Sequence, residues 1–320
     1  MKLWVTAGGT GSAWHIASIV KQYYADEIEL YISDINEPEM VASSVLADHF
    51  FKVPPVKEPG YAEYMYRLLK ENRIDVLIPL IPWEQGFFAP DRPEFAALGI
   101  RSMAAPDAAD QILNHKANLY QFCLEHDIPV IRQYTEEELE PEKIYFCKPE
   151  MGFGAAGACK MTGQELTEKL ALGELLSEEI VIQDYCEEDG EVREVTVEAF
   201  WDGKNLKTIC RRRLESKSGV CTKAVICKLP ETEQIIRKIL AFVELPMVFN
   251  MQFVHFQGCW RIMDVNLRLA AGTGLSNAAG FQLIRAMLAQ LLGKPVEEEW
   301  FQVDEGIRSI LRVYQEVVIR

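Results

Sequence analysis

Basic residues are scarce in this sequence. The 33 lysines and arginines are outnumbered by 48 aspartates and glutamates, leaving a formal net charge of −15. A surface of that sign repels phosphate backbones and anionic lipid, so neither nucleic acid nor a membrane surface is an expected partner. Long apolar runs are missing too, and nothing approaches the roughly 20 residues of a membrane-spanning helix. The opening MKLWVTAGG reads as a first strand without an extended signal-peptide core, which points to a cytoplasmic protein. Paired cysteine motifs are absent. Cys123, Cys147, Cys159, Cys186, Cys210, Cys221, Cys227 and Cys259 are scattered, mostly among apolar neighbours, and read as reduced, partly buried thiols. His15, His49, His115, His126 and His255 show no ligand spacing, so neither residue type suggests a zinc site.

What is present is a chain of 320 residues, 49% hydrophobic, long enough for two or three lobes with a core in each. The first third alternates apolar runs with helical spacing. KLWVTA, IELYISD, FFKVP and DVLIPLI read as strands. Residues 12–24, 37–48 and 61–72 read as helices between them. Such alternation predicts parallel strands with crossover helices, and runs without polar alternation suit strands covered on both faces. A second region begins near Pro106, with helices over 107–113 and 115–127 and strands at IPVIRQY, KIYFCKP and EEIVIQDYC. Asp202-Gly203 and Gln257-Gly258 then mark two hairpins, one within VREVTVEAFWDGKNLKTICRRR and one within VFNMQFVHFQGCWRIMDVNLR. Helices over 164–172, 232–243 and 282–292 and a last strand near IRSILRVYQEVVI complete the reading.

Five groups of residues bear on chemistry. In KPEMGFGAAG a strand delivers Lys148 and then a loop with Gly152, Gly154 and Gly157. Glycines let backbone N–H groups approach phosphate oxygens, and the lysine adds a point charge. No GK[ST] follows, so this is not a Walker loop. Asp264 and Asn266 lie two apart on one strand face, and the hairpin turn brings Gln252 close to being a cross-strand neighbour of Asp264. Three oxygen-bearing side chains on one face suit magnesium, which takes few carboxylates and completes its shell with phosphate and water. Arg268 follows on the same face, where its fork can hold a transferring phosphoryl group. Asp184-Tyr185-Cys186 ends a strand before an acidic loop, with Glu194 and Glu198 on the next strand. Spacing alone makes this a charged turn; the other reading is a seat for a base and a ribose. Of Arg211, Arg212 and Arg213, strand alternation lets one or two face an anionic ligand. TAGGTGSAW with Asp34 approaches a dinucleotide fingerprint, but Trp14 stands at the third glycine position.

Over nearly the whole chain these segments resemble the ATP-grasp superfamily, in particular ligases similar to the carbamoyl phosphate synthase large chain and the pyrrolysine-biosynthesis ligase. The segments that carry the resemblance are DVLIPLIPWEQ, the GIRSMAAPDAADQILNHK run, the Lys148 glycine loop, Gln183 to Cys186 and MDVNLRLAAG. The resemblance implies an α/β (α+β) fold: a parallel-sheet pre-ATP-grasp domain over 1–105, then a two-lobed ATP-grasp domain over 106–320, with a nucleotide lobe at about 115–186 and a metal and substrate lobe at about 187–320. It implies ATP and Mg2+ (or Mn2+) as cofactors, and a small-molecule carboxylate and an amine as substrates. It implies nucleotide binding by Lys116, Lys148, Gly152, Gly154, Gly157, Asp184, Tyr185, Cys186 and Glu194, metal binding by Gln252, Asp264 and Asn266, and catalytic roles for Arg268 and Arg213, with Arg211 as the alternative to Arg213. The acceptor pocket is expected to draw on Thr10, Ser12, Glu84 and residues 271–276. A homodimer is a family-level expectation. Asp264 stands where the family has glutamate, Leu267 where proline is common and His115 where aspartate is usual. The implied reaction is carboxylate–amine (or carboxylate–thiol) ligation through an acyl phosphate. The alternatives are an ATP-binding regulatory protein without turnover, which the shorter Asp264 invites, and a nicotinamide oxidoreductase, which TAGGTGS invites.

Overall fold

A computed structural model describes residues 1–150, 157–176, 179–217, 219–313 and 315–319. Three sheets organise them. The first is parallel and contains β1 (Lys2–Val5), β2 (Glu29–Asp34), β3 (His49–Lys52), β4 (Val76–Ile78) and β5 (Arg101–Ser102), in the order β3-β2-β1-β4-β5. Helices α1 (Gly11–Tyr23), α2 (Tyr61–Glu71) and α3 (Pro93–Ala96) cross between its strands. Both faces are covered. Leu3, Val5, Leu30 and Ile32 pack on one side; Trp4, Tyr31 and Leu77 pack on the other with Met65, Phe88 and Phe95. That double burial is why these strands read as continuous apolar runs. The order reverses between β1 and β4, so the crevice at their C-terminal ends is the natural ligand position of this half.

Residues 37–48 depart from the expected helix. They form two 3₁₀ turns, Pro38–Met40 and Ala42–Leu46. Serine hydroxyls compete with the helical ladder here: Ser43 donates to the Gly8 carbonyl and Ser44 to that of Pro38, both at 2.8 Å.

Helices α4 (Asp107–Leu113) and α5 (Lys116–Glu125) lead to a small antiparallel sheet of β6 (Gln133–Tyr134), β7 (Ile144–Pro149), β8 (Cys159–Thr162) and β9 (Ile180–Asp184), ordered β6-β9-β7-β8. Helix α6 (Gly163–Ala171) follows β8, started by a Thr162–Glu165 capping box. The expected strand at IPVIRQY is divided between two sheets. Gln133 and Tyr134 pair with β9, whereas Ile131 N–H donates to the Ile262 carbonyl of the third sheet at 3.2 Å.

That third sheet holds β10 (Arg193–Trp201), β11 (Leu206–Lys217), β12 (Val220–Cys227), β13 (Val248–Phe256), β14 (Cys259–Asn266) and β15 (Ile310–Leu311), in the order β14-β13-β10-β11-β12-β15. Both expected hairpin turns are present, with Gly203, Gln257 and Gly258 at positive φ. Strand β12 went unread in the sequence. One face of the sheet is apolar: Val195, Val197, Ala199, Phe249, Met251 and Phe253 pack with Ile235, Ile236 and Ile239 of α7 (Pro230–Leu240). The other face carries polar side chains. Helices α8 (Thr273–Ala278) and α9 (Leu283–Leu291) close the fold. Helix α9 joins the first and third sheets, since Ile284, Met287 and Leu288 share one core with Ile16 and Val20 of α1 and with Phe200, Ile209 and Val248.

Two predictions follow from this packing. Ile284 is fully buried at the shared core. Ile284→Ala is expected to cost about 2–5 kcal/mol and to lower the thermal midpoint. Met40→Ala at an exposed site leaves it in place, and equal midpoints for the two variants would contradict a shared core. Glu84 is also buried, accepting hydroxyl hydrogen bonds from Thr6 and Tyr61. Burial pushes its carboxyl up to about 7 from an ordinary value of 4.5. The folded state therefore holds this proton where the unfolded state has lost it, so stability declines as pH rises through that window. Glu84→Gln should gain thermal stability relative to the parent between pH 5 and pH 8, roughly the window set by that shift; an offset independent of pH would refute the assignment.

Candidate functional site

The polar face of the third sheet follows from register. Thr196 lies beside Gln252 on one side and Arg211 on the other, and Gln252 lies beside Asp264. One step along, Glu198 pairs with Asn250, and Asn250 with Asn266. Two-residue alternation thus places Glu194, Thr196, Glu198, Arg211, Arg213, Asn250, Gln252, Asp264 and Asn266 on one side. A cavity of about 630 Å³ lies over this face. The small sheet contributes Phe146, Lys148 and Pro149 to its wall. The parallel sheet contributes Thr10, Gly11 and Ser12 after β1 and Leu80, Ile81 and Pro82 after β4, at the point where strand order reverses.

Lys148 is seated by a β-bulge. Gln252 pairs with Asp264 and Phe253 with Ile262, so Met263 is the extra residue on β14. A bulged residue drops out of the ladder, and its carbonyl accepts Lys148 Nζ at 2.7 Å. Burial holds the Lys148 ammonium below the usual lysine range, with Asp264 opposing that shift. Lys116, the first residue of α5, is buried and donates to the Glu150 carbonyl at 2.8 Å. Arg268 lies just past β14. Its Nη2 donates to Asn266 Oδ1 at 3.1 Å and its Nη1 to the Leu269 carbonyl at 3.2 Å. Burial brings this guanidinium down to about 10, against the pull of Asp264.

The two candidate arginines of β11 have separate surroundings. Arg213 reaches the Gly219 carbonyl at 2.8 Å, Ser216 Oγ at 2.9 Å and Glu194 Oε2 at 3.5 Å. Arg211 is 1% exposed and pairs with the fully buried Glu198 at 3.2 Å. Its three nitrogens have no well-aligned acceptor among the described residues. The Glu198 carboxylate also accepts Thr273 Oγ1 at 2.6 Å and the Ser276 hydroxyl. Glycine at 272 makes room for this guanidinium, since a Cβ there would lie 2.6 Å from Arg211 unless the side chain moved. Arg211 thus enters the cavity wall as a buried cation with unused donors, a group that a ligand anion can satisfy.

Of the residues expected from sequence, Lys116, Lys148, Glu194, Arg213, Gln252, Asp264, Asn266 and Arg268 line this one cavity. Others stand elsewhere. Asp184 accepts Tyr134 Oη at 2.7 Å and pairs with Lys143 at 2.8 Å. The Tyr185 hydroxyl donates to Glu187. Cys186 packs with Ile131 and Val254, and burial pushes its thiol up to about 12. Gly157 is left-handed, with φ of 76°. Gly152 and Gly154 lie outside the described residues. Thr10, Ser12, Ala271 and Gly272 reach the cavity, whereas Glu84 is turned into the parallel-sheet half and Thr273 and Ser276 onto Glu198. Sequence reasoning passed over Thr196, Asn250 and Cys221 as lining residues. The first two were recoverable by counting in twos from Glu194 and Gln252.

Gln252, Asp264 and Asn266 offer oxygen donors with a single carboxylate. That set fits a hard divalent cation sharing its shell with phosphate oxygens, and does not fit a soft metal. Among the described residues no cluster of three or more His, Cys, Asp or Glu side chains offers a self-contained metal cage, and no helix is long and apolar enough to cross a membrane.

Known proteins share this architecture. The N5-carboxyaminoimidazole synthetase of Staphylococcus aureus, solved with ADP, matches 92% of this chain and 78% of its own at 13% identity, with a TM-score of 0.72. A carboxyaminoimidazole ribonucleotide synthase from Aspergillus clavatus, solved with ATP, matches 95% and 79% at 14% identity, also with a TM-score of 0.72. The biotin carboxylase domain dimer of Hydrogenobacter thermophilus 2-oxoglutarate carboxylase, with MgADP, ADP and bicarbonate, matches 94% and 72% at 15% identity, with a TM-score of 0.71. No curated protein is a sequence match. Residues 5–103 match the family model "PylC-like, N-terminal domain", and residues 178–312 match "ATP-grasp in the biosynthetic pathway with Ter operon". With one model on the parallel-sheet half and the other on the sheet that bears the polar face, this chain has the ATP-grasp fold.

Proposed function

We propose that this protein is an ATP-dependent carboxylate–amine ligase that works through an acyl phosphate and releases ADP and phosphate. The observation that carries the reading is the convergence of Lys116, Lys148, Arg268 and the Gln252–Asp264–Asn266 trio on one cavity. Residues 1–105 then shape the acceptor end, and residues 106–320 hold the nucleotide.

Each side chain has a task that its surroundings support. Lys148 and Lys116 hold phosphate oxygens, and both are anchored to backbone carbonyls before any ligand arrives. Gln252, Asp264 and Asn266 hold Mg2+, which when bound neutralises phosphate charge. Arg268, steadied by Asn266 and Leu269, faces the transferring phosphoryl group. A carboxylate oxygen of the acid attacks the γ-phosphorus and ADP departs. The amine nitrogen then attacks the acyl carbon, the C–O bond to phosphate breaks, and the amine loses its proton. The protein's contribution is position and charge, with no covalent enzyme nucleophile. Arg211 and the N-terminus of α1, both on the cavity wall, suit the acid's carboxylate.

The test is ADP release against a panel of acids and amines, with the product identified by mass. Release should require magnesium and both organic substrates. Asp264→Asn removes the trio's carboxylate and is expected to lower turnover about a hundredfold or more. Lys148→Ala should weaken ATP binding, measured by calorimetry. Full activity in either variant sinks the site assignment. ATP binding without turnover across the panel would favour the regulatory reading instead.

A further inference from the structure

The ligand cavity leaves one feature of β11 unused. Cys210 lies directly opposite Cys227 of β12, and the two sulfurs are 3.1 Å apart. Directly paired residues of antiparallel strands have Cα atoms about 4.5–5.5 Å apart. A disulfide spans roughly 4.4–6.8 Å between Cα atoms, so the two can join without backbone rearrangement. Both lie on the face opposite Arg211, by strand alternation.

The two thiols differ. Cys210 is buried, while Cys227 is half-buried and open to a small oxidant. The contact between the two sulfurs holds the Cys227 thiol below its ordinary value and pushes Cys210 up. The more exposed sulfur, Cys227, is the one an oxidant reaches first, and the buried Cys210 is its partner. Cys147 and Cys159 also face each other, across β7 and β8, and are the rival pair that the test has to distinguish.

We propose that Cys210 and Cys227 form a reversible dithiol–disulfide site, oxidised by hydroperoxides and restored by small thiols, in the strand pair that carries Arg211 and Arg213. The Cys227 thiolate attacks the terminal peroxide oxygen. The O–O bond breaks, the alkoxide leaves and takes up a proton as the alcohol (water, from hydrogen peroxide), and Cys227 becomes a sulfenic acid. The Cys210 sulfur then attacks the Cys227 sulfur. An S–S bond forms, the S–O bond breaks, and the hydroxyl leaves as water with the Cys210 proton. Two thiols and one peroxide yield one disulfide, one alcohol and one water. The bond ties β11 to β12 directly behind Arg211, whose cross-strand neighbour is Ile226.

Thiol chemistry tests this without reference to ligase activity. The full chain is treated with equimolar hydrogen peroxide, alkylated and mapped by mass spectrometry. The expected result is the loss of two hydrogens and a linked peptide pair containing Cys210 and Cys227, both reversed by dithiothreitol. Cys210→Ser should halt at a Cys227 sulfenic acid that dimedone captures, whereas Cys123→Ser should keep the link. Should the serine variants not fold, the peptide map of the parent protein decides alone. A link between Cys147 and Cys159 instead, or no link while other cysteines oxidise, overturns the proposal.

Discussion

Burying charge on a sheet face is costly unless each charge finds a partner, and the architecture follows from how the third sheet meets that cost. Glu198 and Arg211 lie on adjacent strands with almost no exposure. Thr273 and Ser276 bring hydroxyls to the carboxylate, and the absence of a Cβ at Gly272 makes room for the guanidinium. The segment after β14 is therefore bound to this ion pair. Its further course through α8 and α9 joins the parallel-sheet half to the rest. A buried pair of this kind is weak evidence for stability in itself. Its consequence is geometric, because it fixes the floor over which Lys148 and the β1 and β4 ends are set.

The second constraint is the bulge at Met263. By dropping one residue out of the β13–β14 ladder, it frees a carbonyl that takes Lys148 from the small sheet. The bulge sits beside Asp264, so the lysine proposed to hold phosphate and the carboxylate proposed to hold the metal are positioned by one irregularity. The small and large sheets are tied together at the wall of the cavity.

Much of this was legible in the sequence. The Gln257-Gly258 turn sets the hairpin register, and counting from it brings Gln252 to Met263, one residue short of Asp264; the bulge at Met263 completes the pairing. Parallel strands with both faces buried followed from uninterrupted apolar runs. Other features depend on contacts between distant segments. Arg211 and Arg213 share strand parity, and only packing of Gly272 and Glu198 makes one a deep buried cation and the other a rim residue. Spacing alone makes Asp184 part of a charged turn and only the resemblance gives it a nucleotide role; its partners, Lys143 just before β7 and Tyr134 of β6, come from distant segments. Strand β12 was overlooked because GVCTKAVIC lacks clean alternation, and with it went the Cys210–Cys227 pairing.

The central claim is that the Gln252, Asp264 and Asn266 oxygens and Lys148 together hold a nucleotide–metal complex. Anomalous diffraction from crystals grown with manganese and a non-hydrolysable ATP analogue tests it most directly. An anomalous peak is expected within coordination distance of Asp264, bridged to analogue phosphates that Lys148 contacts. A peak elsewhere, or an analogue bound away from the polar face of the third sheet, would contradict it.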